Sequence, residues 1–363
     1  MTALRVVIGG GGTGGHVFPA LALADALHRT GGAEMLFIGS EGGLEQELVP
    51  RHGFRLELLR IDKLRGVGPL ARLAALGRLP LATLRATALL RGFRPQVVVG
   101  LGGYASAPVV LAGYLSRLPV VLLEQNAIPG TVNRALARLS RTVVTAFRGA
   151  ARHLPEGRVQ LLGNPIRASL LASVGQATPA SGCSLLVLGG SQGAHAINEL
   201  MIEAAPRLLR RVPSLRVRHQ TGSADLARVA AAYREADVPA TVEPFIEEMG
   251  AAYRGASLVV GRSGATTLAE LCAAGRPAVL IPYPYAADDH QAANAMEIVE
   301  EGGAVMRRQP ELDPEKLAAL LAELLLDPER LGRMSRAMRR SGRPRAAEVI
   351  AAMLRERYGH PVP

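Results

Sequence analysis

Residues 5–27 read RVVIGGGGTGGHVFPALALADAL: a β-branched run, glycine at every position from Gly9 to Gly15 except Thr13, then His16 and an alanine- and leucine-rich helical pattern. A strand that turns through glycine into a helix is the first half of a βαβ unit, and such units build parallel sheets with helices on both faces. The turn presents backbone N–H groups at the positive end of the helix dipole, and glycine lets a ligand lie against bare backbone. Phosphate and other oxygen-rich ligands are the guests this chemistry favours.

The rest of the chain repeats the construction. The apolar runs PQVVVGLGG, PVVLLEQ and RTVVTAF follow in the first half and CSLLVLGGS, ASLVVGRSG and PAVLIPYP in the second, separated by amphipathic helical patterns. Continuous rather than alternating apolar strands argue for sheets buried on both faces. LLVLGGSQGAH at 185–195 echoes VVIGGGGTGGH at 6–16. The expected fold class is α/β, with two doubly wound, Rossmann-like parallel-sheet domains facing a ligand cleft. A length of 363 residues suits two domains, since a domain runs to about 100–200. The border is expected at Gly163-Asn164-Pro165, giving domains over 1–163 and 164–344. A last helical pattern, 345–359, follows the Ser341-Gly342-Arg343-Pro344 break and by its pattern alone could join either domain.

Charge is distributed unevenly. Residues 1–163 hold 19 Lys and Arg against 9 Asp and Glu, whereas 164–363 hold 23 against 22, so the first half carries nearly all of the net +11. Basic surfaces attract nucleic acid, anionic lipid or phosphorylated ligands. Few aromatics (4%) and two complete nucleotide-type α/β patterns argue against a nucleic-acid-binding module. Residues 60–94 contain eight Lys or Arg and one acid interleaved with leucines, a composition that suits anionic lipid headgroups, although a solvated helix face would have the same one. Two cysteines, Cys183 and Cys272, fit a reducing compartment and offer no disulfide framework or metal site. No signal peptide and no run of about 18 apolar residues is present, which points to a cytoplasmic protein able to sit on a membrane surface.

The opening turn satisfies G-x-G-x-x-G twice, but a nicotinamide site needs an acid about 20 residues on, at the end of the second strand. The nearest following acid, Glu41, comes later and lies within another glycine turn, GSEGGLE. His16 is the unusual residue. At a helix start the dipole disfavours the imidazolium, so the ring stays neutral and can accept a proton. Pro19 fits the first turn of that helix. Further polar groups fall where strands end: Tyr104 and Ser106 in GLGGYASAP, Glu124, Gln125 and Asn126 in LLEQN, Glu270 in GRSGATTLAEL, and Gln291 and Asn294 three apart in DDHQAANA, with Asp288 or Asp289 as a helix cap. Open α/β sheets bind ligands at that edge.

Taken in order, GGTGGHVFPALALA, GLGGYASAP, EQNAIPGTVNR, GNPIR, GGSQGAHAIN, GRSGATTLAEL and DDHQAANA resemble the motif series of the MurG family over nearly the whole chain. These are bacterial glycosyltransferases that add N-acetylglucosamine to undecaprenyl-pyrophosphoryl-MurNAc-pentapeptide, turning lipid I into lipid II. The resemblance implies the two-domain GT-B fold, with the lipid acceptor on the N-terminal domain, UDP-GlcNAc on the C-terminal one, and a C-terminal helix of about 345–363 packed back on the first. It implies inverting transfer, no cofactor and no metal, so that Asp288-Asp289 starts a helix rather than holding an ion. By the same resemblance, His16 is the catalytic residue, Gly12, Thr13, Gly14, Gly15 and Tyr104 lie beside the acceptor and the diphosphate, and Thr13, Gly14 and Gly15 also contact UDP-GlcNAc. Asn126 holds the donor sugar or the incoming hydroxyl, Arg167 and Ser191 neutralise the UDP phosphates, and Ile246 meets uracil through its backbone. Glu270 binds the ribose, and Gln291 with Asn294 reads the GlcNAc hydroxyls. Some relatives carry a second glutamine where this chain has His290. The implied partners are UDP-GlcNAc, lipid I and an anionic membrane at the cytoplasmic face, met through 60–94, with no nucleic acid. The rival readings are a UDP-GlcNAc 2-epimerase sharing the donor pocket and a basic membrane- or nucleic-acid-binding protein.

Overall fold

The computed structural model describes residues 3–61, 69–175, 183–190 and 193–359, with side chains in the helix Pro69–Phe93 from residue 77 onward. Ser191 and residues 62–68 of the basic segment therefore lie outside the described residues. The chain divides into two compact units, Met1–Arg167 with Arg345–Pro363, and Ala168–Pro344. The division falls after Arg167, so Arg167 belongs to the first unit.

In the first unit the strands are Arg5–Gly9 (β1), Glu34–Ser40 (β2), Arg55–Leu59 (β3), Val97–Gly100 (β4), Val120–Glu124 (β5), Thr142–Thr145 (β6) and Val159–Leu161 (β7). They form one sheet in the order β3-β2-β1-β4-β5-β6-β7, with every pair parallel. The order reverses between β1 and β4, where Gly9 lies opposite Gly100. Alternation along β1 explains its unbroken apolar run. Val6 and Ile8 pack with the helix Gly14–Arg29, and Val7 packs on the other face with Ala86, Leu90 and Val109. The C-terminal helix Ala346–Tyr358 completes the first of these layers through Ala347, Ile350 and Leu354. Arg355 ties that helix to the end of Gly14–Arg29 by donating to the Leu27 and Thr30 carbonyls.

In the second unit the strands are Ser184–Leu188 (β8), Arg216–Gln220 (β9), Ala240–Glu243 (β10), Leu258–Gly261 (β11), Ala278–Leu280 (β12) and Ala304–Met306 (β13). The sheet runs β10-β9-β8-β11-β12-β13, again all parallel, and reverses between β8 and β11, where Leu188 lies opposite Gly261. Each glycine-rich turn thus leaves an interior strand of its sheet at the switch point, where neighbouring loops part and leave a crevice.

Candidate active site

At the switch point of the first unit the helix begins at Gly14, with Thr13 in extended conformation as its N-cap. The Thr13 side chain makes no cap bond. Its hydroxyl instead meets His16 Nδ1 at 3.2 Å, which fixes the ring against the turn. Because the helix starts at Gly14, Pro19 stands in the second turn and not in the first, and it cannot supply the i+4 donor to the Gly15 carbonyl. The turn after β4 closes on the same ring. Gly102 (φ +82°) and Gly103 (φ +71°) adopt left-handed backbone, and a Cβ on Gly102 would stand 3.4 Å from His16 Nε2. His16 and the Tyr104 turn are therefore neighbours, and both are partly exposed.

The turn after the adjacent strand β5 is held by a buried carboxylate. Glu124 accepts from Asn126 N–H (2.9 Å), Gly130 N–H (3.1 Å) and Asn133 Nδ2 (2.8 Å). Burial pushes its carboxyl above the ordinary value, and these donors oppose that shift without cancelling it. Gln125 donates to the Leu123 carbonyl. Of the three polar residues ending this strand, Glu124 and Gln125 are buried and Asn126 is partly exposed at the site edge. Asn133, which the sequence reading passed over, links the layers: its amide reaches Glu124 and Leu123 and touches Gly102 from below. Arg167 lies over the Phe18 ring, 5.3 Å from its centroid, one turn into the helix Gly14–Arg29 that carries His16.

Gly12 is exposed at the same turn. Its N–H donates to the buried Glu45 carboxylate at 2.7 Å and so faces the protein. The donors left for an anion at this turn are the first N–H groups of the helix, at Gly14 and Gly15, which have no helical acceptor.

In the second unit, Gly193 takes φ +78° and its Cα lies against the Thr221 carbonyl, where a Cβ would collide. Gln220 joins two parts of the expected donor site by donating to Gly190 O at 2.7 Å and accepting from Ile246 N–H at 3.2 Å. Ile246 is buried and its N–H is used by Gln220. Glu270 accepts from the Tyr253 hydroxyl at 3.0 Å. Gln291 Oε1 accepts from Tyr283 N–H, the Gln291 carbonyl accepts from Ser263, and Asn294 Nδ2 donates to Ser263 O at 3.2 Å. Asn294 is 0% exposed, so it supports the loop after β11, whereas Gln291 is partly open. Asp288 and Asp289 both take φ +52°, and Asp289 pairs with Arg308 without capping the helix His290–Glu300. His290 bonds the Ala287 carbonyl.

A polar network underlies the second turn. Asn198 donates to Thr221 O (2.9 Å) and Asp225 (2.8 Å), and its carbonyl oxygen accepts from His219 Nε2 (3.0 Å). The Tyr233 hydroxyl then donates to His219 Nδ1 at 2.9 Å. Burial lowers the His219 pKa to about 3, and the neutral ring is the form that satisfies both bonds. Burial alone would raise the Asp225 carboxyl, but the Asn198 amide and His195 hold it below its ordinary value. Because the folded His219 pKa lies below the unfolded 6.5, its stabilisation is complete above pH 6.5 and lost as pH falls toward 3. The loss should be roughly 1.4 kcal/mol per unit, about 2 kcal/mol by pH 5. Denaturant midpoints between pH 7.5 and 5 should show this slope in the native chain and lose it in His219→Gln; equal slopes would contradict it.

Comparison with known proteins covers both units. The family models "Glycosyltransferase family 28 N-terminal domain" and "Glycosyltransferase family 28 C-terminal domain" match residues 6–145 and 184–350. A "UDP-N-acetylglucosamine--N-acetylmuramyl-(pentapeptide) pyrophosphoryl-undecaprenol N-acetylglucosamine transferase" of Anaeromyxobacter sp. (strain Fw109-5) is 47% identical, over 99% of this chain and 96% of the relative. The protein of that name from Myxococcus xanthus (strain DK1622) is 46% identical over 96% and 91% of the two chains. The crystal structure of Acinetobacter baumannii MurG superposes with a TM-score of 0.78 at 31% identity, covering 97% of this chain and 99% of that one. A UDP-GlcNAc 2-epimerase from Neisseria meningitidis, TM-score 0.68 over 98% and 100% of the two chains, shares the fold at 13% identity.

Proposed function

Because the chain belongs to glycosyltransferase family 28, we propose that it moves N-acetylglucosamine from UDP-GlcNAc onto the MurNAc of undecaprenyl-pyrophosphoryl-MurNAc-pentapeptide, the lipid I to lipid II step of peptidoglycan synthesis. The observation that carries this reading is that the likeness to transferases of that name runs through both glycine-rich turns in one chain. The epimerase reading has a shared fold and no more.

The reaction is an in-line displacement. The acceptor hydroxyl attacks the anomeric carbon, its configuration inverts, and the bond to the UDP oxygen breaks. Two needs follow: a base for the hydroxyl proton and positive charge for the departing diphosphate. His16 meets the first. In the tautomer whose Nδ1–H is given to the Thr13 hydroxyl, which Nδ1 meets at 3.2 Å, Nε2 carries the lone pair that takes the proton. Gly14, Gly15 and Tyr104 line the acceptor side, and Asn126 at the end of β5 orients a sugar hydroxyl. The second unit takes the donor. Its glycine turn receives the phosphates; the Ile246 carbonyl takes uracil, Glu270 the ribose, and Gln291 the GlcNAc hydroxyls. Asn294 acts indirectly, by holding the Ser263 loop. Mass analysis of the products tests this: lipid I should gain one N-acetylhexosamine, whereas conversion of UDP-GlcNAc to its 2-epimer without transfer would overturn it.

Membrane contact belongs to the same reading. On the helix Pro69–Phe93, Leu81 (58% exposed) and Leu84 (67%) stand among the exposed Arg78, Arg85 and Arg91, with exposed Arg94 just past its end. The neighbouring helix Ser106–Leu115 adds exposed Tyr114 and Leu115. Apolar side chains ringed by arginine suit the interface of an anionic leaflet at its cytoplasmic face, and no helix among the described residues is long and apolar enough to cross it. The protein should float with anionic vesicles at low salt, and Leu84→Asp should weaken this several-fold; equal flotation with neutral vesicles would contradict the electrostatic part.

A further inference from the structure

Glu45 sits in a socket that the transfer reaction as described does not use. It opens the short helix Glu45–Arg51, yet its side chain turns back beneath the switch point of the first sheet and is 1% exposed. One carboxylate oxygen accepts from Ser40 N–H at 2.8 Å and from the Ser40 hydroxyl at 3.0 Å; the other accepts from Gly12 N–H at 2.7 Å. A buried carboxylate needs such donors, and these three reach it because the walls have no side chains. A Cβ on Gly11 or Gly43 would collide with the carboxylate, and one on Gly39 would stand 2.5 Å from its Cγ. Three glycines, Gly11 and Gly43 on two different turns and Gly39 within β2, are thus shaped around one acid. The bond it makes to the first turn falls on Gly12, in left-handed backbone at φ +88°, immediately before the Thr13 that orients His16.

We propose that Glu45 is a positioning residue for the catalytic turn: its carboxylate anchors Gly12, fixes Thr13 at the N-cap, and through Thr13 sets where the His16 ring stands. This rests on the reading of His16 as the base. It also assigns the Gly12 N–H a structural task, with the helical N–H groups after it left for the acceptor diphosphate. A displacement of the ring by about 1 Å is enough to cost on the order of 100-fold in rate, and partners one step behind a catalytic group are typically worth about 10–100-fold.

The test is Glu45→Gln in the full chain, which keeps the shape but turns one acceptor oxygen into a donor facing another N–H. Three readouts are taken: amide hydrogen exchange at Gly12, kcat for GlcNAc transfer, and the Kd for UDP. The expected result is Gly12 exchange faster by about 10-fold or more and kcat lower by about 10-fold or more, with UDP binding within about twofold of native. Ser40→Ala, which removes one bond and leaves the glycine socket intact, should shift the first two in the same direction by less. Native kcat and native exchange in Glu45→Gln overturn the proposal. So does a parallel loss of UDP binding, because that marks general unfolding. If the native protein transfers no sugar at all, the functional reading fails, while the exchange at Gly12 still decides whether Glu45 holds the turn.

Discussion

His16→Ala should lower kcat by about 100-fold or more while leaving UDP binding unchanged, the usual scale for removing a general base. The ring is set by its neighbours on both sides. The Thr13 hydroxyl holds Nδ1, and the Gly102-Gly103 backbone lies under the opposite edge, so its geometry is fixed before substrate arrives. Thr13→Ala should therefore cost less, about 10-fold, since it loosens the ring without removing it. A pH profile gives a second handle: the acidic limb, on which a general base is lost to protonation, should disappear in the alanine variant. Turnover of His16→Ala near the native value, with UDP still bound, would remove the histidine from the chemistry.

Gly193→Ala should weaken UDP-GlcNAc binding by about 10–100-fold, the equivalent of about 1–3 kcal/mol of strain. Two effects act together. The residue occupies φ +78°, which alanine adopts reluctantly, and the new methyl would run into the Thr221 carbonyl, which Asn198 holds from the other side. Backbone cannot step aside as a side-chain tip can. Gly190→Ala, at φ +79° but with no described atom within 4 Å of its Cβ position, carries only the conformational cost of about 1 kcal/mol. Titration calorimetry with UDP on the two variants separates the terms. Equal and small losses would mean that the turn does not shape the donor site.

The architecture was legible because it is written in local patterns. Strands buried on both faces must be continuously apolar, as β1 and β4 are, and the glycines that follow them mark the turns whatever the tertiary context. The two switch points could be anticipated from the repeated strand, turn and helix, although which strand neighbours which is a property of the sheet. What escaped reading was the nonlocal polar chemistry. Glu45 stood in GSEGGLEQEL as one acid among several, and its partner Gly12 lies 33 positions earlier on a neighbouring strand's turn. Gln220, Asn133 and the His219-Asn198 pair act in the same way, each joining segments far apart in sequence. Asn294 reads as a ligand group by its spacing from Gln291, yet helix rotation turns it fully inward to Ser263. Asp289 at a helix start suggests a cap, but its left-handed backbone and the ion pair with Arg308 aim the carboxylate elsewhere.

The proposed reaction joins a UDP-sugar donor to a lipid-linked acceptor. The most direct measurement is UDP release by the purified protein on mixing with UDP-GlcNAc and a lipid I analogue. Release should require both substrates, match product one for one, and fall with His16→Ala. Release from UDP-GlcNAc alone at the same rate, or none with both present, would contradict it.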